Sequence, residues 1–303
     1  MHIPDSMLQG SICPVTAVIS TIGIAAAAYY GMKAETPSAS RFAAITALIF
    51  AAQMMNFPIM NGTSGHLLGG VLAASLLGTP FGVLSVAMVV IIQSLIYSDG
   101  GVTVLGANLL NMAIIGAGFG GMLRATLASR WQGPRGGILA TAIAAWTCVV
   151  LASFAVSIEL AISGQIAFSK VSAAMLITHA IIGIGEAVIT VAACLLVPST
   201  LQGTNRRGQV VVPLTAATVI ALLLSPFASG FPDGLEWVAE KYQFLHESAP
   251  AFVGPLPDYS ISFIGNETIS TGLAGMIGVI ISFATAWALH QAVSLFIAKK
   301  QIA

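Results

Sequence analysis

Long apolar runs separated by short polar links dominate the chain. Nine of these runs predict helices, and most of them are long enough to cross a hydrocarbon layer of about 30 Å: Ile12–Gly31, Phe42–Phe57, His66–Gly78, Phe81–Tyr97, Thr103–Leu123, Gly137–Ile162, Val171–Val197, Val210–Phe227 and Ile269–Ile297. The third run is short, which favours a broken or buried helix that faces protein. The pattern predicts an all-α membrane bundle with about seven core segments and two C-terminal transmembrane helices.

Two polar stretches interrupt this pattern near the C-terminus. The first, Pro198–Gln209, is a linker, and the second, Ala228–Thr268, is rich in proline, glycine and acidic residues. We therefore expect a membrane core over residues 1–205. We expect residues 206–303 to form a second unit with two transmembrane helices and one extracytoplasmic loop.

The distribution of basic residues predicts the orientation. If the N-terminus lies outside and nine segments alternate, only Lys170 and Lys241 of the 11 basic residues fall in outer loops. Cytoplasmic loops carry an excess of lysine and arginine. We therefore predict that the N-terminus lies outside and the C-terminus inside, with the long polar region on the outer side.

Composition supports a polytopic protein of the cell (inner) membrane, because 57% of the residues are hydrophobic and 7% are charged. The dispersed basic residues and the zero net charge give no nucleic-acid footprint. The three cysteines lack C-x-x-C spacing and predict neither disulfides nor a zinc knuckle. No basic residue precedes Lys33, so we expect no signal peptide and a chain that begins at or near Met1.

The first five residues, Met1-His2-Ile3-Pro4-Asp5, place a free amine beside an imidazole. The amine, the amide nitrogen of His2 and its ring can close small chelate rings around one cation. Pro4 stiffens the exit of this stretch. A frayed terminus is the alternative interpretation.

A second histidine follows the turn-rich sequence Gly62-Thr63-Ser64-Gly65 on the same predicted side. If His66 meets His2, then one amine, one amide and two imidazoles form a nitrogen-only set. Four nitrogens in a plane suit nickel(II) or copper(II) better than zinc. Taken alone, His66 is better explained as a buried histidine with ordinary partners than as a metal ligand.

Other polar residues are candidates for supporting such a site. A metal-bound imidazole usually donates its second N–H to a nearby acceptor, and the candidates are Asp5, Ser64, Asn108 and Asn111. Interhelical hydrogen bonding is the alternative for the two asparagines. His179 and Glu186 share a helix face inside the membrane, where they serve metal passage or coupling, or form a buried polar pair away from the outer mouth.

Several motifs, taken in order, resemble the CbiM/NikM family, the substrate-specific membrane component of energy-coupling factor cobalt/nickel transporters. They are Met1-His2-Ile3-Pro4-Asp5, Gly62–Leu67, Asp99-Gly100-Gly101 with Leu105–Asn108 and Asn111–Ala113, and His179–Glu186. The resemblance implies that Met1, through its amine, His2, through its amide and ring, and His66 bind the metal. Ser6-Met7-Leu8 departs from the glycine and aromatic residue usual in the family. Pro232–Glu236 and Pro255–Tyr259 resemble the PDGLE-type, NikN-like module.

The sequence thus predicts a component that captures Ni²⁺ or Co²⁺ as transported substrate, with no organic cofactor. Four planar nitrogens favour nickel. The chain has no G-x-x-x-x-G-K-[ST] motif, and the resemblance implies a transmembrane coupling protein and ABC-type ATPase subunits as partners, within membrane lipid. The alternatives are an intramembrane metalloenzyme, although His246-Glu247 lacks a second histidine, and a secondary transporter or channel, although no repeat is evident.

Overall fold

The computed structural model describes residues 2–196, 207–244 and 250–302 of the chain. Met1, the predicted border at 205–206 and the His246-Glu247 pair lie outside the described residues. Those ranges form helices and one two-stranded hairpin. In chain order the elements are α1 (Ile12–Lys33), α2 (Ala39–Gln53), β1 (Asn56–Pro58), β2 (Ser64–His66), α3 (Gly70–Leu77), α4 (Thr79–Tyr97), α5 (Leu105–Arg130), α6 (Gly133–Ile162), α7 (Phe168–Leu196), α8 (Gly208–Phe227), α9 (Gly234–Lys241) and α10 (Glu267–Ile302), with 3₁₀ turns at Met60–Gly62 and Pro257–Tyr259.

Within these ranges, seven helices are long and apolar enough to cross a membrane: α1, α4, α5, α6, α7, α8 and α10. Helix α2 is apolar but has 15 residues, which corresponds to about 22 Å, and α3 has eight. The predicted all-α membrane bundle is confirmed as the fold class, and each predicted segment overlaps a helix. The orientation of the termini stays a prediction.

Two predicted boundaries near the hairpin are wrong. The predicted helix Phe42–Phe57 ends early, because Asn56–Pro58 pairs with β2 in an antiparallel hairpin. His66 does not open the third helix, because it is the last residue of β2 and α3 begins only at Gly70. Between them Gly69 has a φ of 71°, which glycine adopts without steric cost. Apolar character alone does not distinguish a strand end from a helix start.

Helix α2 lies inside the bundle, and every residue from Phe42 to Ala51 is buried. Helices α4, α8 and α10 pack against it. A Cβ atom at Gly278 would collide with the ring of Phe50, so this glycine permits the close approach of α10 to α2. The C-terminal helices therefore share one apolar core with the N-terminal part of the chain.

A second apolar cluster forms at the end of the bundle that carries the hairpin. It joins the N-terminal stretch to α6, α7 and the short helix α9, and its buried members include Ile3, Met7, Leu8, Leu68, Val156, Met175, Leu235 and Val238. Burial of these side chains removes apolar surface from water, which stabilises the arrangement. The cluster places the N-terminus, β2 and α9 next to one another.

Candidate metal centre

Hydrogen bonds to Ile3 hold the N-terminal stretch in place. The Ile3 N–H donates to Oδ1 of Asn108 (2.8 Å), and Nδ2 of Asn108 donates back to the Ile3 carbonyl (3.1 Å). The N–H of Gly101 donates to the same carbonyl (2.9 Å). The Ile3 side chain is fully buried. The alternative of a frayed terminus therefore does not describe this stretch, and the position of His2 is fixed by its neighbour.

The two glycines of the Asp99-Gly100-Gly101 loop make room for this stretch. A Cβ atom at Gly100 would lie 2.8 Å from Nδ2 of Asn108, and one at Gly101 would collide with the backbone of Asp5. The Asp5 carboxylate accepts hydrogen bonds from the N–H (2.8 Å) and the hydroxyl (2.7 Å) of Thr103. The N-terminal stretch thus packs directly against this loop.

Glu186 fixes the backbone that follows His66. Its two carboxylate oxygens accept hydrogen bonds from the N–H groups of Leu68 (2.6 Å) and Gly69 (3.0 Å). Those N–H groups precede a helix, where backbone donors lack intrahelical partners. Glu186 is fully buried on α7, so it ties β2 and the start of α3 to the bundle and sets the position of His66.

The imidazoles of His2 and His66 lie against each other. Their ring centroids are 5.1 Å apart and their planes are inclined by 13°. His2 is 9% exposed and His66 is 6% exposed. His66 Nδ1 lies 3.2 Å from the carbonyl oxygen of Leu67. Histidine is the commonest metal ligand in proteins, and this pair places two imidazoles at one buried point beside the N-terminus.

His2 also has polar partners at both ring nitrogens. Its Nδ1 lies 3.0 Å from Oδ1 of Asp99, and its Nε2 lies 3.2 Å from Oε1 of Gln93. Tyr259 donates a hydrogen bond to Oδ2 of Asp99 (2.6 Å). Burial lowers the pKa of His2 below its ordinary value, although the negative charge of Asp99 opposes this. Burial therefore favours the neutral imidazole, which is the form that binds metal.

The C-terminal unit reaches His66 through the segment that precedes α9. Ser64 of β2 donates its N–H to the carbonyl of Pro232 (2.8 Å), and Oδ2 of Asp233 lies 3.8 Å from Nε2 of His66. Asp233 also caps α9, because Oδ1 accepts from the N–H groups of Leu235 (2.7 Å) and Glu236 (2.9 Å). One carboxylate therefore faces both a helix N-terminus and His66.

A cavity of about 10 Å³ lies between His66, His179 and Asp233, which is close to the smallest space that holds one water. Nε2 of His66 and Nε2 of His179 have no hydrogen-bond partner among the described residues. The Nδ1 atom of His179 lies 2.8 Å from the Met175 carbonyl. His179 was expected to lie away from the mouth where His66 lies. This is wrong, because α7 packs against β2 and brings His179 to the same cavity as His66.

Other predicted supporting residues contact groups other than the imidazoles. Ser64 donates its hydroxyl hydrogen to the Phe231 carbonyl (2.8 Å). Asn111 donates to Oε2 of Glu159 (2.9 Å), and both side chains are buried. In these contacts Asn111 matches the alternative of interhelical hydrogen bonding, whereas Asn108 holds the N-terminal stretch.

Four polar residues near the two histidines were not among the predicted site residues: Gln93, Asp99, Asp233 and Tyr259. Signals in the sequence point to three of them. Asp99 begins a glycine pair, and Asp233 and Tyr259 belong to the two motifs of the polar tail. Gln93 gave no signal of this kind, since it stands inside an apolar run. It begins the π-helical turn Gln93–Tyr97 of α4, a distortion frequent at functional sites.

No group of three or more histidine, cysteine, aspartate or glutamate side chains is arranged to hold a metal ion in the described part of the chain. Two imidazoles are present, and a site that uses them needs ligands of another kind. Backbone nitrogens are groups of another kind that bind metal, and Met1, which carries the terminal amine, lies outside the described residues.

Comparisons with known proteins identify the families and relatives that this chain resembles. Residues 2–202 match the CbiM family, described as cobalt uptake substrate-specific transmembrane region, and residues 207–295 match the PDGLE domain. A putative fused nickel transport protein NikMN from Archaeoglobus fulgidus is 34% identical over 300 residues, which cover 96% of this chain and 98% of that protein. A probable fused nickel transport protein LarMN from Lactiplantibacillus plantarum is 28% identical, over 94% of each chain.

A solved structure described as a transition metal transporter superposes with a TM-score of 0.59 at 27% identity. The superposed region covers 67% of this chain and 95% of the chain in that structure. Fold and relatives together define a multi-pass membrane component of a metal transporter, and the predicted non-enzymatic role is confirmed. The chain belongs to the CbiM family, here with a PDGLE domain behind the membrane core, as its motifs predicted.

Proposed function

We propose that this chain captures nickel or cobalt at the outer face of the membrane, through the N-terminus, His2 and His66, for import by an ATP-driven complex. The observation that carries the proposal is the buried stack of His2 on His66, next to an N-terminal stretch fixed by Asn108 and Gly101. In this proposal Met1 supplies its amine, His2 its amide and ring, and His66 its ring.

Nickel is the favoured substrate. The proposed ligands are four nitrogens, and planar nitrogen sets suit nickel(II). Magnesium and calcium prefer oxygen ligands. Relatives named as nickel transport proteins, which match along most of this chain, support the same choice. Cobalt enters the proposal through the description of the family.

The energy for transport comes from other subunits in this proposal. The chain has no phosphate-binding loop motif. We propose a transmembrane coupling protein and ABC-type ATPase subunits as partners, as the resemblance to energy-coupling factor transporters implies. The proposal also needs the N-terminus on the outer side, which the distribution of lysine and arginine supports.

An extension ahead of Met1, which moves the terminal amine away from His2, tests the proposal directly. Two versions of the full chain carry the same short polar extension, one ahead of Met1 and one after Ala303, and nickel and cobalt affinities are measured by competition with a chelator. We expect the first version to lose binding and the second to match the unextended chain. Unchanged affinity in the first version would show that the terminal amine is not a ligand.

A further inference from the structure

Three side chains close a ring of polar contacts with His2, and one of them comes from the C-terminal unit. We call His2, Gln93, Asp99 and Tyr259 the His2 quartet. The contacts are His2 Nδ1 to Asp99 Oδ1 at 3.0 Å, Asp99 Oδ2 to Tyr259 Oη at 2.6 Å, Tyr259 Oη to Gln93 Nε2 at 3.2 Å, and Gln93 Oε1 to His2 Nε2 at 3.2 Å. His2 is therefore bound at both ring nitrogens.

The direction of each hydrogen bond in the quartet follows from the donors available. A carboxylate only accepts, so the Tyr259 hydroxyl donates its single hydrogen to Asp99. The same hydroxyl must then accept from the amide NH₂ of Gln93, which turns the Gln93 carbonyl oxygen towards His2. An oxygen acceptor at that place requires a hydrogen on Nε2 of His2. The Asp99 carboxylate, 3.0 Å from Nδ1, is likewise an acceptor, so oxygen acceptors hold the His2 ring at both nitrogens.

The proposed chelate uses Nδ1 of His2, so the metal replaces the hydrogen at Nδ1, which leaves as a proton. A metal bound to the amide nitrogen of His2 closes a six-membered ring through Cα, Cβ and Cγ when it also binds Nδ1. Nε2 points away and cannot close that ring. The Asp99 carboxylate lies 3.0 Å from Nδ1, so its negative charge attracts a divalent cation to the correct edge of the imidazole.

Tyr259 is fixed by several contacts besides those of the quartet. Its ring stacks on Tyr97, with centroids 4.5 Å apart and planes inclined by 17°. The N–H of Leu256 donates to the Ile96 carbonyl (2.9 Å), which ties the same segment to the end of α4. Tyr259 also holds a φ of 53°, a conformation that bulky residues keep only where surrounding contacts impose it.

We propose that Tyr259 of the C-terminal unit is a positioning residue for metal capture, which acts through Gln93 and Asp99 to hold the His2 ring in place with its Nδ1 edge beside the Asp99 carboxylate. This inference rests on the proposed function, and it makes the PDGLE-containing unit part of the metal site. Burial, with a contribution from the nearby Asp99, raises the pKa of Tyr259. Its hydroxyl therefore keeps the hydrogen that sets the direction of the whole ring.

The test uses the purified full chain and Ni²⁺ as the probe. Nickel affinity is measured by chelator competition for the unmodified chain, Tyr259→Phe, Gln93→Met, the double variant and His2→Ala. Tyr259→Phe keeps the stacked ring and removes the hydroxyl, and Gln93→Met keeps the volume and removes the amide. We expect each single variant to bind nickel about tenfold more weakly. This is the lower end of the loss in metal affinity that follows when a partner of a metal-ligating histidine is removed. The double variant should be no weaker, because both changes break one network.

Tyr97→Phe is the matched control. It also removes a tyrosine hydroxyl from the stacked pair, but that hydroxyl donates to the Ala274 carbonyl (2.9 Å). We expect its nickel affinity to stay within about twofold of the unmodified chain, since the quartet is intact. Equal weakening by Tyr97→Phe would assign the effect to general packing and overturn the inference, as would additive losses in the double variant.

The His2→Ala variant distinguishes failure of the positioning role of Tyr259 from failure of the proposed function. If it abolishes nickel binding while Tyr259→Phe and Gln93→Met bind like the unmodified chain, then the positioning role is wrong and the proposed function stands. If His2→Ala itself binds nickel normally, the proposed function fails.

Discussion

The rings of His2 and His66 lie nearly parallel, with planes inclined by 13° and centroids 5.1 Å apart. The lone pairs of stacked imidazoles lie in parallel planes, so the two rings cannot both aim at one metal ion without a rotation. His2 has a polar partner at each ring nitrogen. Among the described residues, His66 has one hydrogen-bond contact, from Nδ1 to the Leu67 carbonyl at 3.2 Å, and its Nε2 lies 3.8 Å from Oδ2 of Asp233. We therefore expect His66 to rotate when the metal binds.

That expectation is tested by structures of the full chain with and without nickel. The His66 ring should turn about its χ angles, and the His2 ring should keep its place and its Nε2 contact with Gln93. A nickel-bound structure in which His66 is unmoved and His2 has turned would contradict this division between a fixed and a mobile ligand.

Removal of the His66 imidazole should abolish metal capture without unfolding the chain. His66→Ala deletes a proposed ligand, and we expect nickel affinity to fall at least about a hundredfold, as for loss of roughly 3 kcal/mol of binding free energy. His290→Ala is the control. His290 belongs to α10, where its ring lies against Phe42 and Phe81, away from the hairpin. Equal losses in both variants would argue against His66 as a ligand.

A methyl group at residue 101 should displace the N-terminal stretch. A Cβ atom there meets the backbone of Asp5, which cannot yield as a flexible side chain does. We expect Gly101→Ala to weaken nickel binding about tenfold or more, because a small misplacement of ligands has large effects. Gly137→Ala has open space around its Cβ atom and should leave affinity unchanged. Normal binding by Gly101→Ala would mean that the stretch can be seated differently.

Asn108 should determine how firmly the N-terminal stretch is held. Asn108→Ala leaves the Ile3 N–H buried without its acceptor, which costs about 1–3 kcal/mol. Hydrogen exchange at the Ile3 amide should accelerate, and nickel affinity should fall. Thr103→Val removes a hydroxyl contact to Asp5 at the exposed end of the same stretch and should have a smaller effect. The interpretation is wrong if Ile3 exchange is equally slow in Asn108→Ala.

Asp233 should stabilise α9 as its N-terminal cap. Asp233→Ala removes the acceptor for the N–H groups of Leu235 and Glu236, at a cost of about 1 kcal/mol. Asp233→Asn keeps a side-chain oxygen and should restore most of that stability. Hydrogen exchange at the Leu235 and Glu236 amides measures the difference. Identical protection in the alanine and asparagine variants would show that the capping bonds contribute little.

The sequence alone determined the class of fold. Apolar runs longer than a bilayer needs predict membrane helices from local composition, because the hydrocarbon layer accepts only backbones that satisfy their own hydrogen bonds. The pairing of His2 with His66 was also predictable, since the motifs and the common side of the membrane indicate it. The β-hairpin was not, because three-residue strands leave no periodic signal that separates them from loops or helix starts.

The tertiary structure alone decided what surrounds the two histidines. Tyr259 reaches Asp99, and Asp233 reaches His66, across long separations in the chain. Such contacts depend on how α9 and the 257–259 turn pack on the bundle, and neither hydropathy nor spacing encodes that packing. The sequence therefore determined which residues the proposed site uses, and the packing of the C-terminal unit on the N-terminal stretch decided which groups hold them in place.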